Sequence, residues 1–167
     1  MNRKSTTGYC FFFGRGNIIS WNSALQKTVA LSTCEAEYMA MREAIKEVIY
    51  LTNMLQWLDQ ALNLGLELKQ KVTPLLIDSN SAIKLAENPE FHKRSKHIDI
   101  TYHFIRECIR DKKVTVAFVK SAEQLADGLT KGLNAVKHRA LLEGFNLKAK
   151  SEELMSERVK KVRFSKA

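Results

Sequence analysis

Three acids in this sequence stand at the ends of apolar segments, where a carboxylate is costly unless something compensates it. Glu37 lies in "STCEAEYMA", Asp78 closes "LLID", and Asp127 sits in "LADGL". A carboxylate turned inward must find a partner, take up a proton or bind a cation, because burying it bare is too unfavourable. Three carboxylates gathered at one rim of a sheet make the hard-oxygen environment that Mg²⁺ or Mn²⁺ prefers. Paired divalent cations about 4 Å apart are a common device for phosphodiester hydrolysis. Each acid also has an ordinary reading: a buried ion pair for Glu37, an Asx turn or helix cap for Asp78, a surface acid for Asp127.

Helix phase separates Glu37 from its neighbour Glu35. Ser32 and Glu35 have the S-x-x-E spacing of a capping box, with Ser32 or Thr33 as N-cap, so a helix is expected from there to about Leu62, before "NLG". Steps of four and three from Glu37 reach Met41, Ala44, Val48, Leu51, Leu55, Leu58 and Leu62, all apolar. The same steps from Glu35 reach Met39, Arg42, Lys46, Asn53 and Gln60 among others, which is mostly the wet face. Glu37 is therefore expected to point inward, and Glu35 to cap the helix on its wet face.

The elements that must position these acids are legible in outline. "GYCFFFG" and "RGNIISWNSAL" read as a β-hairpin about Gly14-Arg15-Gly16. "VTPLLIDSN" reads as a strand covered on both faces, with Asp78 at its carboxyl end, where open α/β sheets place their sites. A short helix over "SAIKLAE" should end at Asn88-Pro89. Ile98, Tyr102, Ile105 and Ile109 give the period of an amphipathic helix, and "VTVAFV" is a further strand. "SAEQLADGLTKGL" and "NAVKHRALLEGF" read as one or two helices. The order ββ-α-β-α-α-β-α defines an α/β domain with a mixed sheet over residues 1–147. Residues 148–167 form a charged tail, expected as frayed helix or disorder.

The chain has 167 residues, enough for one domain, and a formal charge of +9 that favours an anionic partner, nucleic acid being the commonest. "HKRSKH" concentrates His92, Lys93, Arg94, Lys96 and His97 into six residues, a loop suited to sequence-independent phosphate contact. His97 also reads as a capping pair with Asp99 for the helix that follows. Trp21 and Trp57 read as core residues rather than stacking platforms. Cys10, Cys34 and Cys108 lack CxxC spacing, which argues against a disulfide framework or zinc site and for a reducing, intracellular setting. No apolar run is long enough to cross a bilayer, so no membrane association is expected.

Longer strings carry a family likeness. "RKSTTGYCFF", "ISWNSALQKTVALSTCEAEYMA", "IDSNSAIKLAENPEFHKRSKHIDITYHFIRE" and "EQLADGLTKGL" closely resemble, in order and over roughly residues 3 to 145, the ribonuclease H region of copia-type LTR retrotransposon polyproteins. The resemblance implies a ribonuclease H-like fold that hydrolyses the RNA strand of RNA–DNA hybrids with two Mg²⁺ or Mn²⁺ ions. It further implies a reverse transcriptase portion upstream in the same polyprotein, and a cytoplasmic virus-like particle or nucleus as location. Residue by residue, the family's metal-binding acids fall on Glu37, Asp78 and Asp127. The family pattern also has a central strand with a catalytic aspartate ahead of "RKSTTGY", whereas no aspartate precedes Asp59 here. The resemblance thus implies an N-terminally truncated domain with an incomplete two-ion site and impaired hydrolysis. The alternative is a remnant that binds nucleic acid without chemistry.

Overall fold

The computed structural model describes residues 3–14, 16–65, 72–88 and 96–147, with the backbone alone for 96–99. Strands β1 (Thr6–Phe13) and β2 (Asn17–Leu25) form the hairpin, antiparallel, with Cys10 opposite Trp21 and Gly8 opposite Ser23. The turn between them uses Gly14 and Gly16 at positive φ, which lets two strands reverse with matching twist.

Helix α1 (Thr33–Leu62) starts and stops as its sequence dictates. Ser32 Oγ accepts from Glu35 N–H at 3.1 Å, and Asn63 ends the helix in the left-handed region, its N–H donating to Asp59 O. The buried face carries Tyr38, Met41, Ala44, Ile45, Val48 and Leu51. Beyond Leu51 the helix runs past the rest of the core, and its apolar stripe opens to solvent, leaving Leu62 exposed.

Strands β3 (Thr73–Ile77) and β4 (Val114–Phe118) pair in parallel, joined through α2 (Asn80–Glu87) and α3 (Lys96–Arg110). Leu75, Ile77 and Val114 meet Ile45, Val48, Tyr102, Ile105 and Cys108 in one core cluster. Arg106 fastens α3 to the end of α2 by donating to the carbonyls of Leu85 and Asn88. After β4, a 3₁₀ helix (Leu125–Leu129) and α4 (Ala135–Gly144) return over the hairpin, where Phe145 meets Phe12 at 5.9 Å between ring centroids.

The described residues are thus α/β, with four α-helices around strands that pair in both senses, an arrangement compatible with a ribonuclease H-like fold. The strands of the expected mixed sheet divide into two pairs, β1–β2 and β3–β4. A cleft of about 330 Å³ lies between them, lined by Gly8 to Phe12 of β1 and Thr73 to Ile77 of β3. Val119 N–H donates to Ile77 O, so alternation turns Leu76 and Pro74 toward the other, open edge. Pro74 has no N–H to lose there, and Gln124 Nε2 donates to Leu76 O at 3.0 Å.

Several expectations change. β3 is covered on one face only, since Leu76 is 57% exposed; the segment after β4 packs over the hairpin and leaves that side open. Trp21 and Trp57 are exposed, at 62% and 66%, rather than core: Ser20 faces α1 through Glu47, which turns Trp21 away, and Trp57 lies on the overhanging end of α1. The expected helix that carries Asp127 is a short 3₁₀ helix of five residues. The expected tail, residues 148–167, lies outside the described residues.

Candidate functional site

The first turn of α1, the carboxyl end of β3 and the 3₁₀ helix after β4 converge on one pocket of about 440 Å³. Its wall includes Glu37, Asp78 and Asp127, which lie 41 and 49 residues apart in succession (78 − 37 and 127 − 78). Gly8, Ala36, Ala40 and Ala126 are among the small residues of its lining, which keep the pocket open. The cleft between β1 and β3 shares Gly8, Glu37, Ala40, Gln124 and Ala126 with this pocket, so the two are continuous.

Each acid is held differently. Glu37 is exposed to the pocket rather than buried, because it sits one turn ahead of the packed part of its stripe. Glu35, expected on the wet face, is the buried one at 8% exposure. Its side chain folds back so that Oε2 accepts from Leu31 N–H at 2.8 Å, a bond that overrides the direction given by helix phase. Asp78 follows β3 directly, and its Oδ2 accepts from Ser121 Oγ at 2.8 Å, across from the end of β4. Asp127 pairs with Lys131, Nζ to Oδ2 at 2.6 Å, over one turn.

Gly8 positions the turn that carries Asp127. A Cβ at Gly8 would lie 2.5 Å from Thr130 Cγ2 and 3.0 Å from Ala126 O, so only glycine lets the 3₁₀ helix sit this close to β1. Ser23 Oγ adds a bond to Leu129 O from the paired strand.

The acids also act on one another. The Glu37 carboxyl is raised from its ordinary range, first by loss of water around it, then by the charges of Asp78 and Asp127, with Lys131 opposing. Lys131 is raised in turn, first by its bond to Asp127 and further by the fields of Asp127, Asp78 and Glu37. Loss of solvation leads in the first case, with like charges adding to it; a hydrogen bond to an opposite charge leads in the second.

In charge and hardness this donor set suits a divalent cation. Its spacing is looser than a closed cage: among the described residues, no group of three His, Cys, Asp or Glu is close enough to hold a metal ion. Of the expected basic loop, His92, Lys93 and Arg94 lie outside the described residues. Lys96 and His97 open α3, but their side chains, like that of Asp99, also lie outside. Sequence reasoning missed Lys131, Ser121 and Gly8; the i, i+4 spacing of Asp127 and Lys131 was the available signal for the first.

No helix among the described residues is long and apolar enough to cross a membrane. No family model matches the chain, and no solved structure does. Its homologues are copia-type retrotransposon Pol polyproteins. The chain is 50% identical over 130 residues, 78% of its length, to the retrovirus-related Pol polyprotein from transposon TNT 1-94 of Nicotiana tabacum. It is 39% identical over 133 residues, 79% of its length, to the Pol polyprotein from transposon RE2 of Arabidopsis thaliana. The corresponding polyprotein from transposon RE1 of the same plant is 39% identical over 130 residues, 78% of the chain. The chain spans 9%, 8% and 8% of these relatives, respectively.

Proposed function

We propose that this chain is a ribonuclease H-like region of a copia-type retrotransposon polyprotein, and that its pocket serves hydrolysis of the RNA strand of RNA–DNA hybrids. The observation that carries the reading is the convergence of Glu37, Asp78 and Asp127 on one pocket from three distant segments. The likeness to retrotransposon Pol polyproteins supports it. Glu37, Asp78 and Asp127 stand too far apart here to enclose an ion; drawn closer, they would be the residues to hold Mg²⁺ or Mn²⁺, which would supply an activated water and charge neutralisation at the leaving oxygen. Ser121 orients Asp78, and Gly8 seats the turn that presents Asp127. The basic stretch of sequence that contains His92, Lys93, Arg94, Lys96 and His97 would attract the hybrid's phosphates. An extended strand lying along the open edges of β1 and β3 would bring a further carboxylate to the pocket and complete the two-ion site, with the upstream polyprotein as its source.

The test is cleavage of a hybrid labelled on its RNA strand, in Mg²⁺ or Mn²⁺. It uses this chain extended by the segment that precedes the matched region in the tobacco relative. Cleavage that D78N abolishes supports the reading; no cleavage by the extended protein defeats it. A second reading, nucleic-acid binding without chemistry, is favoured by the Asp127–Lys131 pair, which ties up one of the three acids. It expects salt-sensitive hybrid binding that survives D78A and no cleavage in either form.

A further inference from the structure

Helix α1 carries a second apolar stripe that the core does not use. Tyr50, Met54, Trp57 and Ala61 follow one another at steps of four, three and four, the spacing of a coiled-coil seam. All four are exposed, Tyr50 by 62% and Trp57 by 66%, and Leu62 beside them is exposed too. Leu64 is held at the helix end by its N–H, which donates to Asp59 O at 3.2 Å, and it adds to the same exposed patch. The far side of these turns is polar, with Thr52, Gln56 and Asp59, so this end of the helix is amphipathic with its apolar side open.

Charge and pattern decide what the face can accept. The chain carries +9 overall and 27% of its residues are charged, yet between Glu47 and Glu67 the only charged residue is Asp59. A second copy, repelled elsewhere by like charge, meets no such repulsion here. The seam is also complementary to itself. With two such helices antiparallel about a two-fold axis between Leu55 and Gln56, Tyr50 lies opposite the partner's Ala61, large against small. Met54 then lies opposite the partner's Trp57, a favourable thioether–indole pair. The antiparallel sense keeps the two bodies apart, because each packs on its own helix at Leu51 and before. Side chains of this kind offer on the order of 500 Å² per copy. That is at the upper end of what a soluble monomer leaves open, and below the roughly 800 Å² of a standard interface.

We propose that the exposed end of α1 is a homodimer interface, in which two copies pair antiparallel along Tyr50, Met54, Trp57 and Ala61. The pairing is reversible, in the micromolar range that its area implies. It goes beyond the hydrolytic reading of the pocket and does not depend on it.

The test is sedimentation velocity of the full chain, kept reduced, over a dilution series through the micromolar range. Wild type should move from the 19.1 kDa monomer toward twice that mass as concentration rises. Added salt should promote the shift by screening the net charge. W57E and Y50E, both at exposed positions, should each weaken association by about thirtyfold or more, as loss of a central interface aromatic does. W21S, which removes the exposed tryptophan of β2, should dimerise as wild type does and leaves Trp57 as the sole tryptophan for acrylamide quenching. A wild type that stays monomeric at every concentration overturns the proposal. So does a monomer whose Trp57 is shielded from quencher, since another segment of the chain then covers the stripe. A dimer that W57E and Y50E leave intact, or that salt dissolves as it would a nucleic-acid bridge, overturns it too. None of these results bears on hybrid cleavage, so the pocket reading stands or falls separately.

Discussion

Ser121 Oγ donates to Asp78 Oδ2 at 2.8 Å, joining the residue after β3 to the loop after β4 across 43 positions of sequence. The two strands run in parallel, so their carboxyl ends lie side by side, and the bond fixes one acid of the pocket at that rim. S121A leaves Asp78 without this donor. It should lower stability by about 1 kcal/mol or less, because the bond is exposed to water. Chemical denaturation would read that loss. The larger expected effect is weaker Mn²⁺ binding, since the Asp78 carboxylate would no longer be oriented.

Glu37 predicts a pH dependence. Its folded-state value lies above its ordinary 4.5, so the folded chain binds this proton more readily than the unfolded chain does. Stability from this group is therefore greatest at low pH and is lost as pH rises from the unfolded value through the folded one. E37Q should raise the melting temperature in metal-free buffer at neutral pH, and the gain should vanish near pH ~3, where both states are protonated. Paired thermal melts at the two pH values would check the sign.

Gly8 predicts a steric effect. In G8A the new methyl meets Thr130 Cγ2 and the Ala126 carbonyl, and a backbone oxygen has little room to yield. Destabilisation of about 1–3 kcal/mol is expected, the usual cost of overpacking. Because the displaced element carries Asp127, Mn²⁺ affinity should fall as well. A substitution at Gly132, where a Cβ meets nothing within 4 Å, serves as the control.

Ser32 predicts the contribution of the helix start. S32A removes the oxygen that accepts from Glu35 N–H, and should cost about 1 kcal/mol in denaturant melts. Since Glu37 lies in the turn that this cap begins, part of the loss should come with fraying of the pocket wall.

Local rules made much of this architecture readable. The S-x-x-E spacing and the apolar stripe from Met41 to Leu51 marked α1, and Asn63 stops it through its left-handed backbone. Asn80–Glu87 and Thr73–Ile77 likewise follow from capping, Pro74 and apolar runs. What local pattern does not carry is tertiary geometry. Glu35 is buried because its side chain folds back onto Leu31 N–H, which the 3.6-residue period cannot register. Trp21 and Trp57 look like core residues by type, but they fall on an outward sheet face and an overhanging helix end. The division of strands into two pairs with a cleft between them depends on which edges find partners, a non-local matter. The three acids were readable as candidates because each ends an apolar segment; the pairing of Lys131 with Asp127 had a signal in their i, i+4 spacing, but its nearness to the other two acids did not.

The central claim is that Glu37, Asp78 and Asp127 share one electrostatic site suited to a divalent cation. The most direct measurement is a carbon-13 NMR titration of the Glu37 carboxyl in wild type and D78N, each with and without Mg²⁺. In metal-free wild type the midpoint should lie above 4.5; it should fall in D78N, and Mg²⁺ should lower it in wild type far more than in D78N. An unchanged midpoint in D78N, together with indifference to Mg²⁺, would contradict the account.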